Sequence, residues 1–220
     1  MEFLGRRYLN SQDTPTYFSF IEEAKQGDFL FQNLYTTEKP VLRFFRPAYL
    51  LIGKTAQVLR LPNPWAFHLF RLLFGVAFFV TAYFFFSFFF AKETQRLLAL
   101  AILAFSSGLG FVLEKFIPQS TDLWVPEANT FLTLSDSPHF VLSQTLMLLV
   151  FTSFLWAAKK GPLAILLGGG AAFLLAFEHP FALAIIYLTF GLLFVTYLSW
   201  QNKIPKSCVY GVLLNVDIPV

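Results

Sequence analysis

Five long apolar runs divide the chain, at residues 65–90, 97–113, 138–158, 162–177 and 181–200. None of them alternates apolar and polar positions, so the pattern argues for helices and against the strands of a membrane barrel. A hydrocarbon layer about 30 Å thick needs roughly 20 apolar residues in a helix. The runs 65–90 and 181–200 meet that requirement alone. The runs 97–113 and 162–177 are shorter, and their helices are expected to extend into the polar residues beside them. Lipid cannot satisfy free backbone groups, so helices are the default. The expectation is an all-α, polytopic transmembrane bundle of about five spans.

The polar segments have a pattern of their own. Thr14-Pro15 predicts a helix start, with Asp13 or Thr14 as N-cap and Pro15 in the first turn. That helix should run from Thr16 to about Gln26 and stop at Gly27. Phe18, Ile21 and Ala24 share one side of it. Residues 29–37 read as an extended stretch. Residues 41–60 read as amphipathic helical turns broken at Pro47, with Arg43, Arg46, Lys54 and Arg60 placed to snorkel. The expected organisation is an extracytoplasmic or interfacial segment at 1–62, a membrane bundle at 63–206 and a tail at 207–220.

Composition strengthens the membrane reading. Apolar residues make up 56% of the chain, charged residues 13%, and the mean hydropathy is +0.62; a soluble domain carries about 25% charged residues. Phe alone supplies 30 positions. The net charge of +3 and pI near 9.0 do not point to nucleic acid, because the basic residues are dispersed. The single Cys208 excludes an internal disulfide. No signal peptide is visible, since the first residues lack an apolar core.

Charge placement is lopsided. Eleven of the thirteen carboxylates fall in residues 1–62, in 114–137 or in the Glu178-His179-Pro180 turn. Threading five helices puts these three stretches on one side. The opposite side has three short basic loops, marked by Lys92 and Arg96, by Lys159 and Lys160, and by Lys203 and Lys206. Positive loops stay in the cytoplasm, so the acidic side is expected to be extracytoplasmic, in a prokaryotic plasma membrane. The basic residues within 1–62 run against the rule, but long segments follow it less than short loops do. A charged segment of that length crosses a membrane more readily after a preceding helix. The chain is therefore expected to be a fragment or short member of a longer protein, with a helix before Met1 and more chain after the weakly apolar tail 209–220.

Five stretches carry a resemblance. Asp13-Thr14-Pro15-Thr16-Tyr17-Phe18 is followed by Gly27-Asp28-Phe29-Leu30-Phe31-Gln32-Asn33-Leu34-Tyr35-Thr36-Thr37-Glu38. Downstream come Phe67-His68-Leu69-Phe70-Arg71, then Pro126-Glu127-Ala128-Asn129-Thr130-Phe131 and Ser137-Pro138-His139-Phe140. Together they resemble prokaryotic membrane glycosyltransferases of the GT-C type, over roughly residues 8–200. The resemblance implies transfer of a sugar from a polyprenyl-phosphate donor to an acceptor on the extracytoplasmic face; the acceptor's identity is left open. It also implies an acidic residue in the first outer loop that serves as base or aligns the acceptor, and Asp13 matches that position. Many members carry two adjacent acids there, whereas Asp13 has Gln12 and Thr14 as neighbours.

The residues suit such chemistry. A carboxylate can deprotonate an acceptor hydroxyl, and a cation can stabilise a departing phosphate. Arg71 lies inside the first run, where an unpaired charge is costly, and its fork of donors matches a lipid phosphate. His68 sits one turn earlier on the same face. Glu38, Glu127 and His139 complete the candidate substrate-binding set. Each has a plainer reading beside the functional one. Asp13 is also a helix cap, and Arg71 could pair with Glu127 or Asp136. Glu38 suits a solvated turn, Glu127 and Asn129 an ordered loop, and His139 a helix start. His179 reads as structural. No cofactor is indicated, and His68, His139 and His179 lack metal-ligand spacing. Ala164, Gly168 and Ala172 form a small-residue stripe suited to close helix packing. The alternative to a transferase is a non-enzymatic polytopic membrane protein or a transporter.

Overall fold

A computed structural model describes residues 13–32, 43–106, 116 and 125–201. Within them the chain is helical, apart from an isolated antiparallel bridge between Phe31 and Phe44. In order, the helices are α1 (Thr14–Gln26), α2 (Pro47–Leu59), α3 (Asn63–Phe86), α4 (Glu93–Phe105), α5 (Thr130–Asp136), α6 (Pro138–Lys160), α7 (Pro162–Glu178) and α8 (Pro180–Gln201), with a 3₁₀ turn at Pro126–Ala128. Proline marks most of the starts: α1, α2, α3, α6 and α7 carry one in the first two positions, and α8 begins on one. Its missing N–H would be unbonded there in any case.

Among the described residues three helices are long and apolar enough to cross a membrane, at Asn63–Phe86, Pro138–Ala157 and Pro180–Leu198. α7 is apolar but shorter. α4 starts at Glu93 and runs to Phe105, so its helix reaches back over the polar residues before the apolar run. Residues 107–115, where that run ends, lie outside the described set.

α6 is the centre of the bundle. It packs against α7 and α3 most extensively, and also against α2, α5 and α8. Contact with α7 is close: a methyl at Gly168 would sit 3.0 Å from Ser153 Cβ. The buried stripe on α7 is Ala164, Ala171 and Leu175, with Gly168 between them. Gly169 and Gly170 meet nothing within 4 Å. A second cluster joins Leu146 and Val150 of α6 to Leu175, Ala182 and Ile186.

α1 is docked, as its apolar side requires. Among the described residues it packs chiefly against α2. Phe20, Ile21 and Ala24 join Phe31, Tyr49, Ile52 and Phe67 in one core. Gly53 permits the crossing, since a methyl there would collide with Ala24 Cβ and lie 2.6 Å from Ile21 O. Gly27, at φ 116°, ends α1 as expected. At that end Lys25 donates to Asn63 Oδ1 (2.9 Å), and Asn63 donates to Glu22 (3.0 Å), tying α1 to the start of α3.

Candidate functional site

The starts of α2, α3, α6 and α8 and the end of α7 meet at one end of the bundle. Buried polar side chains gather there: Thr133, Asp136, Ser137, His139, Ser143, Glu178 and His179. Buried polar groups need partners, because each unsatisfied one costs about 1–3 kcal/mol. The connections run between distant segments. Tyr49 of α2 places its hydroxyl 2.8 Å from His139 Nδ1 and 3.2 Å from Ser137 Oγ, and Ser137 Oγ lies 2.9 Å from the same nitrogen. One turn along α6, Ser143 Oγ donates to the His139 carbonyl (2.7 Å) and contacts His179 Nδ1 (2.8 Å). The His139 and His179 rings stack at 5.6 Å and 6°. His179 Nε2 lies 3.5 Å from Glu127 Oε1. That ring holds the Glu127 carboxyl below its usual range, against the opposing effect of partial burial.

A second connection crosses the same end. Glu178 is buried, and one of its carboxylate oxygens accepts the Ala48 N–H in the first turn of α2. Arg46 donates to the Glu178 carbonyl at 2.8 Å. A carboxylate at a helix N-terminus meets both the free N–H groups and the positive end of the dipole. Here the cap comes from another helix, since Arg46, the N-cap residue of α2, makes no side-chain cap. Among the described residues the other Glu178 oxygen has no hydrogen-bond partner.

A cleft of about 100 Å³ opens beside this network. Glu127, Ser143, Gln144 and His179 form its polar side, and Phe140, Met147, Phe181, Ala182 and Ile185 its apolar side. Gln144 is fixed by donating to Thr133 Oγ1 at 2.8 Å.

Of the residues singled out from sequence, Glu127 and His139 belong to this network. Glu127 sits in the 3₁₀ turn and His139 in the first turn of α6. His139 lies at the start of α6 but is not its N-cap, which is Ser137, and its ring bonds across the bundle. Asn129 caps α5 by accepting from Leu132 N (2.9 Å). Asp13 is the exposed N-cap residue of α1, and its side chain makes no cap hydrogen bond. Four residues on, Tyr17 stacks on Tyr49 (5.4 Å) and packs against His139 (4.9 Å), so α1 starts beside the network. Arg71 donates to the Ser135 carbonyl at 2.6 Å, next to Asp136, while Glu127 is taken up by His179. His68 is half-buried, its ring edge-on to Phe67. Glu38 lies outside the described residues. Tyr49, Ser143 and Glu178 were not singled out as site residues, and His179 was read as structural. Their partners are far away in sequence, and spacing along one helix carries no trace of them. Among the described residues no group of three His, Cys, Asp or Glu is placed to hold a metal.

These features define a helical protein with three membrane-length apolar helices and one polar end. Compared with family models, with curated proteins and with solved structures, the chain matches none.

Proposed function

We propose that this chain is a GT-C-type membrane glycosyltransferase module, which moves a sugar from a polyprenyl-phosphate donor to an acceptor at the extracytoplasmic surface. In this reading the bundle has about five spans, α4 and α7 included, and residues 1–62 lie at or above the outer interface. Asp13 is the base, Arg71 and His68 face the lipid phosphate, and Glu38, Glu127 and His139 contact the substrate. One observation carries the proposal. The helix that begins at Asp13 is held by Tyr17 against the end of the bundle where the buried polar groups gather. A scaffold protein has no need of such a convergence, because a lipid-facing helix is stable without buried His and Glu. The exposed, uncapped carboxylate of Asp13 also suits a base better than a structural cap.

The test uses Asp13→Asn in membranes supplied with radiolabelled polyprenyl-phosphate-sugar. Asparagine keeps the shape and is itself a good N-cap, so the thermal midpoint should stay unchanged. Loss of a general base typically costs about 10²-fold or more in rate, and transfer should fall by that factor. A fully active Asp13→Asn protein, or a wild-type protein without transfer, overturns the reading.

A further inference from the structure

The cleft contains a proton-accounting problem. Ser143 has one hydroxyl hydrogen, and it goes to the His139 carbonyl. Toward His179 Nδ1 the same oxygen can therefore only accept, and Nδ1 carries the hydrogen of that 2.8 Å contact. In a neutral ring Nε2 is then a bare lone pair, and it faces a Glu127 carboxylate oxygen at 3.5 Å. Two acceptors facing each other repel, and one proton between them removes the conflict. Among the described residues, the other charged or titratable groups around the pair are His139, stacked on His179, and Glu178 with Arg46 on its carbonyl.

We propose that Glu127 and His179 share one proton, and that their cleft binds the hydroxyl head of a neutral amphiphile. The carboxylate accepts the ligand's hydroxyl hydrogen. A pair of zero net charge, with no Lys or Arg among the described lining residues, offers no counter-charge to a phosphate. Phe140 and Met147 flank the head. Phe181 and Ile185, both largely exposed on α8, lead an alkyl tail out of the cleft along that helix's apolar surface. A volume of about 100 Å³ admits the head and first carbons only, so the rest of the tail lies outside. Glu127 is shared with the proposed sugar-transfer reading, but neither Asp13 nor Arg71 lines this cleft, so binding of an alcohol here is tested separately from the Asp13 base.

The experiment uses the full chain in lipid nanodiscs. Nitrogen NMR of ¹⁵N-histidine protein, with His179 assigned by its loss in His179→Gln, should show a protonated Nδ1 at neutral pH. A His179 ring with bare Nδ1 and protonated Nε2 overturns the shared proton. For the ligand, the probe is dodecanol carrying a photoreactive diazirine, with dodecyl phosphate as competitor. Labelling should fall within residues 140–147 or 181–185. Glu127→Gln should weaken it by about tenfold or more, as expected for losing a hydrogen bond to a charged group. Ile185→Trp fills the mouth from an exposed position; it should block labelling while leaving the His179 signals in place. Labelling elsewhere, labelling of both variants at the wild-type level, or displacement by dodecyl phosphate at lower concentration than by dodecanol overturns the site.

Discussion

At one end of the bundle Tyr49, Ser137, His139, Ser143, Glu178 and His179 are buried and bonded across α2, α6 and α7. At the other end Lys92 and Glu93 are exposed, and Arg96 turns back to cap its own neighbourhood. Arg96 donates to the carbonyls of Phe90 (2.7 Å) and Ala91 (3.1 Å) and lies over the Tyr83 ring. Packing there is aromatic: Phe84 and Phe88 both meet Trp156 at about 6 Å. The second end has what a helical hairpin beside a membrane needs: water-facing charge, snorkelling cations and ring contacts. The first end has more than that. Burying His and Glu is unfavourable unless partners are supplied, and the chain supplies them from segments some 90 and 130 residues apart in sequence. That surplus is the reason to place function at the first end.

Substitutions can break this contrast. The largest loss should come from Gly53→Val, which drives a branched side chain into Ala24 and the Ile21 carbonyl. Overpacking of this kind costs about 1–3 kcal/mol, and the unfolding midpoint in detergent should fall while α1 becomes sensitive to protease. An unchanged midpoint would mean that α1 is not held as described. Glu178→Ala comes next. It leaves the buried Ala48 N–H without its acceptor, at a cost of about 1–3 kcal/mol. Its counterpart at the other end is Arg96→Ala, a half-buried residue bonded within its own turn, which should move the midpoint by less than about 0.5 kcal/mol. Equal losses from the two substitutions would remove the distinction between the ends.

A smaller effect sharpens the comparison. The Glu127 carboxyl is depressed by the His179 ring, from an ordinary value of 4.5. Its folded-state pKa lies below the unfolded one, so the folded form binds its proton less readily. The stabilisation is fully present above the unfolded value and is lost as pH falls through the folded one. The midpoint difference between wild type and Glu127→Gln should therefore be constant at neutral pH and shrink below pH 4.5. Glu127 is partly exposed, so the amplitude should be small. A difference that instead grows on acidification contradicts the pairing.

Much of the fold was legible in the sequence because it is local. The break at Pro47 is where α2 begins, Gly27 ends α1, and the apolar runs 138–158, 162–177 and 181–200 coincide closely with α6, α7 and α8. Runs of apolar residues report helix length directly. α4 was less legible, since its helix starts in the polar Glu93-Thr94-Gln95 that hydropathy discounts. α5 has only seven residues, too few for a periodic signal. The site was legible only in part. Glu127 stood out as an ionisable residue in a polar outer loop and His139 as one at a helix start, but the Tyr49 hydroxyl looks like any interfacial aromatic until α2 is laid across α6. Glu178 likewise reads as a turn residue until the start of α2 is seen above it. Arg71 donates to the Ser135 carbonyl, a backbone group that no sequence pattern marks.

In the proposed topology the polar end faces the extracytoplasmic side and the basic end the cytoplasm. Single cysteines at Gln26 and Gln57, and separately at Lys92 and Gln201, can be introduced into a Cys208→Ser background and exposed to an impermeant maleimide in intact cells. Labelling is expected at 26 and 57, and protection at 92 and 201 until the cells are opened. Protection at 26 and 57 with labelling at 92 and 201 would contradict it.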